Sequence, residues 1–321
     1  MRRDDRNLNI LLTGASGFVG SRLLAQLVED NVRTLGRKAV EQSPCHFSIE
    51  MDKMPDYSDC LKGVEVIVHS AARAHIMKDE AVDPLVEYRR VNVDGTVNLA
   101  RQAAAAGVNR FIYISSIKVN GEQTKFAKPF TTDDAPAPED YYGISKAEAE
   151  VALQQMADET GMEVVIIRPP LVYGPGVKGN FASMLKVVQK GIPLPLGAVH
   201  NQRSLVAVDN LVHLIITCID HPSAANQVFL AGDGQDLSTT ELLQEVAFAM
   251  DKPSRLIPVP MSLLMFGATL LGKRAVAQRL LGSLQVDISK ARDVLGWEPP
   301  ISVKEGLRRC FEPQSKSGLI K

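Results

Sequence analysis

The sequence predicts an α/β fold built on a doubly wound parallel sheet, with a smaller lobe contributed by its C-terminal half. Three observations carry that prediction. Strand-like and helix-like segments alternate as far as Arg168, and a glycine-rich turn, Gly14-Ala15-Ser16-Gly17-Phe18-Val19-Gly20, joins the first strand to the first helix. Beyond Arg168, proline and glycine punctuation takes over.

The run Asn7 to Leu12 (NLNILL) is short and apolar, and with Thr13 it gives a strand over 10–13 that ends at the glycine turn. A helix is expected over 20–30, its apolar face written by Leu23, Leu24, Leu27 and Val28. Further strands are expected at 31–35, 45–49, 64–69, 110–115 and 163–168, with long helices at 86–106 and 142–161. After Arg168 the segments PPLVYGPG, GIPLPLG and LGWEPP break this alternation. The reading is a first lobe over 1–170, a second over 171–321, and a brief return to the first near 204–218.

Composition narrows the function. With 321 residues, 45% of them hydrophobic, and 36 basic against 37 acidic side chains, the chain can bury a large core and lacks the basic excess of a nucleic-acid binder. Cys45, Cys60, Cys218 and Cys310 lie far apart with no C-x-x-C or metal-ligand spacing, so they read as reduced cytoplasmic residues and no metal site is expected. The N-terminal MRRDDRNLN is charged and carries no secretory pattern. The longest apolar stretch, 259–272, ends at Lys273-Arg274 and falls short of the ~20 residues that span a bilayer. A buried or groove-lining helix is expected there, an interfacial membrane helix being the alternative.

Strand, glycine turn and helix in that order form the context of a dinucleotide site. The spacing G-x-x-G-x-x-G departs from the common G-x-G-x-x-G, but the tasks are the same: a tight turn, close approach of a pyrophosphate, and close packing of helix on strand. Cofactor choice turns on the end of the second strand, where Leu35-Gly36-Arg37-Lys38 has no acidic residue until Glu41. That favours NADP, with Arg37 on the 2′-phosphate and Arg33 as a second contact; NAD is the alternative, with Arg37 a solvated turn residue.

The other chemical signal is Tyr142-x-x-x-Lys146. A phenol ordinarily has a pKa of about 10 and is a poor base at neutral pH. On a helix, residues four apart share a face with roughly 5–6 Å between Cβ atoms, so Lys146 is placed to favour the ionised phenol by charge. Tyr141 points off that face. His69 reads as a packed strand residue.

TGASGFVG, HSAA at 69–72, Ser115-Ser116 closing a strand, Tyr142-x-x-x-Lys146 and RPPLVYGPG at 168–176 together resemble the extended short-chain dehydrogenase/reductases, over nearly the whole chain. Within them the chain is similar to the nucleotide-sugar branch, both to bacterial UDP-sugar C4 dehydrogenases (4-keto reductases) and to UDP-glucose 4-epimerases. The resemblance implies a Rossmann-type first lobe and a substrate-binding second lobe. It places Gly14, Ser16, Gly17, Phe18, Val19, Gly20, Asp52 and Ala71 at the dinucleotide together with Tyr142 and Lys146. Tyr142 would exchange the proton at the sugar hydroxyl, Lys146 would support it and bond the nicotinamide ribose, and Ser116, rather than Ser115, would hydrogen-bond the sugar oxygen. Asn180 and Arg203 resemble residues that bind the nucleotide diphosphate, and Arg279 is either the second such clamp or a surface residue. Asn120 stands where the family often has tyrosine, a departure expected to alter sugar orientation.

The function expected first is NADP-dependent reduction of a UDP-4-keto-6-deoxy-N-acetylhexosamine in surface polysaccharide synthesis. A UDP-sugar 4-epimerase with retained NAD is the alternative, and a non-catalytic dinucleotide-binding protein the third reading. The resemblance also implies a homodimer paired through the two long helices.

Overall fold

The computed structural model describes residues 7–27, 30–74, 83–125 and 127–312. The strands are β1 (Asn9–Thr13), β2 (Asn31–Gly36), β3 (Cys45–Ser48), β4 (Val66–His69), β5 (Arg110–Ile114), β6 (Glu163–Arg168), β7 (Leu171–Tyr173), β8 (Leu205–Ala207) and β9 (Val228–Leu230). The helices are α1 (Phe18–Leu24), α2 (Ser58–Leu61), α3 (Pro84–Arg89), α4 (Gly95–Ala105), α5 (Tyr141–Thr160) and α6 (Gly179–Gln189). They are followed by α7 (Val208–Asp220), α8 (Thr239–Ala249), α9 (Met261–Leu270), α10 (Arg274–Leu281), α11 (Ser289–Leu295) and α12 (Val303–Arg309).

A seven-stranded sheet runs in the order β3-β2-β1-β4-β5-β6-β9, and each neighbouring pair is parallel. Parallel strands are covered on both faces, and the sequence obliges: β4 and β5 are buried throughout. Side chains alternate between two cores. Ile10, Leu12, Val68, Ile112 and Ile167 face Leu23 of α1 and Leu211 of α7, whereas Leu11, Ile67, Phe111 and Ile166 face Leu99 of α4 and Leu153 of α5. The chain works outward from β1 to β3 and then returns to β4 on the other side of β1. That reversal leaves a crevice at the carboxyl ends of β1 and β4, where ligands of open α/β sheets bind.

The helix expected over 20–30 begins at Phe18 and ends at Leu24, its last turn tightening where Gln26 N donates to Leu23 O at 2.9 Å. Val28 of its predicted apolar face lies outside the described residues. The helix expected at 86–106 starts at Pro84 and carries a π-helical turn over Arg90–Asp94 between α3 and α4. Residues 204–218 fold as β8, which pairs with β7 rather than with the large sheet, and as α7, which packs against α1 and β5. The seventh strand of the sheet, β9, lies within 171–321 and outside the return near 204–218, so the chain re-enters the first sheet a second time.

Asp209 on α7 accepts from Arg22 Nε of α1 at 2.8 Å and from Arg309 Nη1 of α12 at 2.9 Å, fastening both ends of the described chain to one buried carboxylate. A smaller core gathers Tyr173, Phe181, Leu242, Val246 and Leu307 around β7 and β8. The apolar segment 259–272 forms α9, which is not the buried helix expected, since none of its residues is buried. Met261, Leu264, Met265 and Ala268 lean on Val199, Ala277 and Leu281, while Phe266 and Leu270 stand 64% and 72% exposed. Among the described residues no helix is long and apolar enough to cross a membrane.

Candidate active site

The glycine turn has the geometry its residues demand. Gly14 has φ +73°, and a Cβ there would sit 2.7 Å from Ala71 N. A Cβ on Gly20 would lie 2.2 Å from Gly14 O, and one on Gly17 3.0 Å from the same oxygen. Only glycine lets α1 approach the end of β1 this closely. Gly17 caps α1 without a side chain, so the first-turn N–H groups lack intrahelical partners. Phe18 and Val19 pack on the core, and Ser16 is exposed beside the turn. These features fit a dinucleotide pyrophosphate, whose charge suits a helix N-terminus.

The other predicted cofactor positions follow successive strand ends on the same edge. Arg37 is exposed just beyond β2. Asp52 lies in the 3-10 turn Met51–Lys53 beyond β3, 3.3 Å from Arg90 Nη2. Ala71 follows β4 and donates its N–H to Thr13 Oγ1 at 3.2 Å. Arg33 does not join them: its Nη1 donates to Lys62 O at 2.6 Å and Cys60 O at 3.2 Å, ahead of β4, because it sits too early in β2 to reach the carboxyl edge. His69 is a packed strand residue, with Thr13 Oγ1 2.7 Å from Nδ1 and Thr96 Oγ1 2.9 Å from Nε2. Burial, followed by the charge of Lys146, pushes its pKa down to about 3.

Ser116 and Ser115 diverge at the end of β5. Ser115 is buried and its Oγ donates to Glu150. Ser116 is only half-buried and begins the turn Ile117–Val119, where its Oγ accepts from Lys118 N at 3.3 Å. Glu150 is bound in turn by Arg168, Nε to Oε1 at 3.0 Å and Nη2 to Oε2 at 2.5 Å. Arg168 Nη1 donates to Asn120 Oδ1 at 3.0 Å, and Asn120 Nδ2 donates to Thr131 O at 2.9 Å. Both ends of the Asn120 amide are thus used in holding the loop.

Tyr142 and Lys146 lie one turn apart on α5, and Tyr141 is 50% exposed beside them. Gly143 lets the start of α5 press on the turn after Ser116: a Cβ there would be 2.9 Å from Lys118 O. The Tyr142 ring meets Tyr88 edge-on at 6.3 Å. Lys146 Nζ donates to Ile114 O at 2.7 Å and lies 4.3 Å from the Tyr113 ring centroid and 5.9 Å from that of Tyr142. The expected lowering of the tyrosine pKa is not what this geometry gives. Burial, then Asp140 and Tyr88, push the Tyr142 phenol above its ordinary value. Burial pulls Lys146 down to about 7, against the opposing charge of Glu150.

That shift has a stability consequence. Folded Lys146 releases its proton near pH 7, whereas the unfolded chain holds it to about 10.5. Between those values the unfolded state binds more protons, so stability rises with pH. From pH 7 to 9 the protein should gain on the order of 2 kcal/mol relative to a Lys146→Met variant, measured by urea unfolding at both pH values. Parallel pH dependences in the two proteins would refute the shift.

The predicted substrate residues are partly assembled. Arg203 Nη1 donates to the backbone oxygens of Arg279, at 2.7 Å, and Gly282, at 3.1 Å. Asn180 is exposed at the start of α6. Sequence reasoning missed the acidic link between the arginines and α5. Glu122 lies 3.6 Å from Arg279 Nε and 2.8 Å from Lys118 Nζ, which also pairs with Asp140. Asp140 caps α5, accepting from Gly143 N at 2.7 Å. An aspartate just ahead of a helix was a readable cap signal; Lys118 and Glu122 carried none. Among the described residues no His, Cys, Asp and Glu cluster that would hold a metal is present.

Residues 10–232 match the NAD dependent epimerase/dehydratase family. The chain is 52% identical to a UDP-glucose 4-epimerase of Vibrio cholerae over 310 residues, covering 95% of this chain and 94% of that one. Among solved structures, it is similar to a UDP-glucose 4-epimerase of Thermotoga maritima with UDP-glucose, at 25% identity and TM-score 0.74, covering 94% and 97% of the two chains. It shares its fold with a UDP-glucuronic acid 4-epimerase of Bacillus cereus in complex with NAD, at 19% identity and TM-score 0.75 over 94% and 96%.

Proposed function

The chain belongs to the NAD dependent epimerase/dehydratase family, and from that premise we propose that it is a UDP-sugar 4-epimerase that retains NAD through turnover. The observation that carries the reading is 52% identity to the Vibrio cholerae UDP-glucose 4-epimerase across almost the full length of both chains. It favours epimerisation over the reduction that the sequence alone put first. The intact Ser116, Tyr142 and Lys146 weigh against a non-catalytic dinucleotide binder.

Gly14, Gly17 and Gly20, with the start of α1 through Ser16, Phe18 and Val19, would hold the pyrophosphate, and Asp52 and Ala71 would line the adenosine side. When bound, NAD would supply the acceptor and donor of the hydride at C4. Arg37, exposed beyond β2, is read as a solvated turn residue under NAD rather than a 2′-phosphate ligand.

The chain's own work is proton transfer and positioning. Ser116 hydrogen-bonds the C4 oxygen, and Tyr142 takes the hydroxyl proton and later returns it to that oxygen once the keto sugar has turned to present its other face. Because burial and Asp140 keep the phenol protonated at rest, its ionisation leans on positive charge; the ammonium of Lys146 is what the chain supplies near the ring. Arg203 and Arg279 clamp the diphosphate, with Asn180 at its edge. Pairing of α3 to α5 with a second copy is supported by Val86 and Val151, 53% and 62% exposed on α3 and α5.

The deciding experiment incubates the purified protein with UDP-galactose and no added dinucleotide, then identifies the sugar product and the nucleotide released on denaturation. UDP-glucose and NAD are expected, with the same NAD content in an Arg37→Ala variant. NADPH consumption with a UDP-4-keto-6-deoxy-N-acetylhexosamine, and no epimerisation, would establish the reductase instead.

A further inference from the structure

The part of the molecule that the proposed chemistry leaves unexplained is the surface made by α9 and α10. Leu263, Phe266, Leu270 and Leu271 are 59%, 64%, 72% and 75% exposed, and Val276 and Leu280 on α10 add 54% and 42%. Leu263, Phe266 and Leu270 recur at helical spacing on the face of α9 opposite the one that leans on Ala277 and Leu281. A contiguous apolar surface rimmed by polar groups marks an interaction site.

The charge of the segment selects the partner. From Met261 to Leu281, which spans both helices, the sequence contains three basic residues, Lys273, Arg274 and Arg279, and no aspartate or glutamate, in a chain whose net charge is −1. Lys273 and Arg274 are exposed at the junction of α9 and α10, beside Leu270 and Leu271. A second copy docking by the same face would double these cations in one interface with no carboxylate in the segment to offset them. An anionic surface that also accepts apolar side chains has the complementary chemistry. At ten residues, α9 is about 15 Å long, half the ~30 Å of a hydrocarbon core, so it suits lying in an interface rather than crossing it.

We infer that the face formed by α9 and α10 docks the protein on an anionic lipid bilayer, with Phe266 and Leu270 entering the acyl boundary and Lys273 and Arg274 at the level of the headgroups. Arg279, on the same α10, then lies close to the membrane surface. The inference stands apart from the identity of the sugar and of the reaction.

The test is sedimentation of the full chain with vesicles of phosphatidylcholine and phosphatidylglycerol, and with phosphatidylcholine alone. The protein should pellet with the anionic vesicles and be released by salt. Phe266→Glu with Leu270→Glu, and separately Lys273→Glu with Arg274→Glu, should each weaken that partition at least about tenfold without lowering the thermal midpoint. Protein that stays in the supernatant with anionic vesicles overturns the inference, as do charge-reversed variants that bind like the parent. A concentration-dependent oligomer dispersed by the Phe266 and Leu270 changes, without vesicle binding, would assign the face to a second copy and overturn it too. Should the double glutamate variant fold poorly, Phe266→Ser and the Lys273/Arg274 pair decide.

Discussion

A Tyr142→Phe variant is expected to turn over about 10²–10⁴-fold more slowly than the parent, with the bound dinucleotide and the apparent substrate affinity nearly unchanged. The substitution keeps the ring, its edge contact with Tyr88 and its place near Lys146, and removes only the hydroxyl. Loss confined to kcat is what a group engaged in the transition state produces. Because Ser116 and Tyr142 would serve the same sugar oxygen, Ser116→Ala added to Tyr142→Phe should cost far less than it does alone. A Tyr142→Phe protein within a few-fold of the parent would remove Tyr142 from proton transfer and return the site to dinucleotide binding alone.

Glu150→Ala is expected to destabilise the fold by about 3–5 kcal/mol, the usual consequence of stranding one member of a buried ion pair. The Glu150 and Arg168 side chains are 3% and 6% exposed, and the carboxylate also accepts from Ser115. Its removal leaves the guanidinium in the core with Asn120 as its remaining neutral partner. Replacing both charges, as Glu150→Leu with Arg168→Met, should recover more than half of the loss, since apolar pairs of similar volume tolerate such sites. Urea unfolding of the three proteins measures this, and a Glu150→Ala penalty below about 1 kcal/mol would show that the pair holds little together.

The strands β1, β4, β5 and β6 were legible because each carries a short, largely apolar run, and β2 and β3 followed from the alternation with helices around them. Three glycines in the first turn announce a close backbone approach. Tyr142 and Lys146 were legible for the same reason, a local spacing on one helix. What escaped the sequence is what depends on distance along the chain. β9 is three residues long and owes its existence to the open edge of β6, 62 positions earlier by the pairing of Arg168 with Leu230 at one end and Ile166 with Val228 at the other, so no periodicity reveals it. The pairing of Glu150 with Arg168, and that of Arg279 with Glu122, joins residues whose neighbours say nothing of each other. The exposure of α9 was misread because hydrophobicity reports a preference for leaving water, not whether the rest of the chain supplies something to cover it.

The carboxylate of Asp209 carries a consequence for synthesis. Arg22 must wait for a partner 187 residues downstream, and Leu23 and Leu24 share a core with α7 residues made just as late. At the ribosome's pace of about 5–20 residues per second, that interval is roughly 10–40 s. During it the outer side of the first helix emerges before its cover exists. The cofactor cradle therefore cannot finish folding as a nascent N-terminal unit, and truncation before α7 should yield a chain that associates with itself or with chaperones.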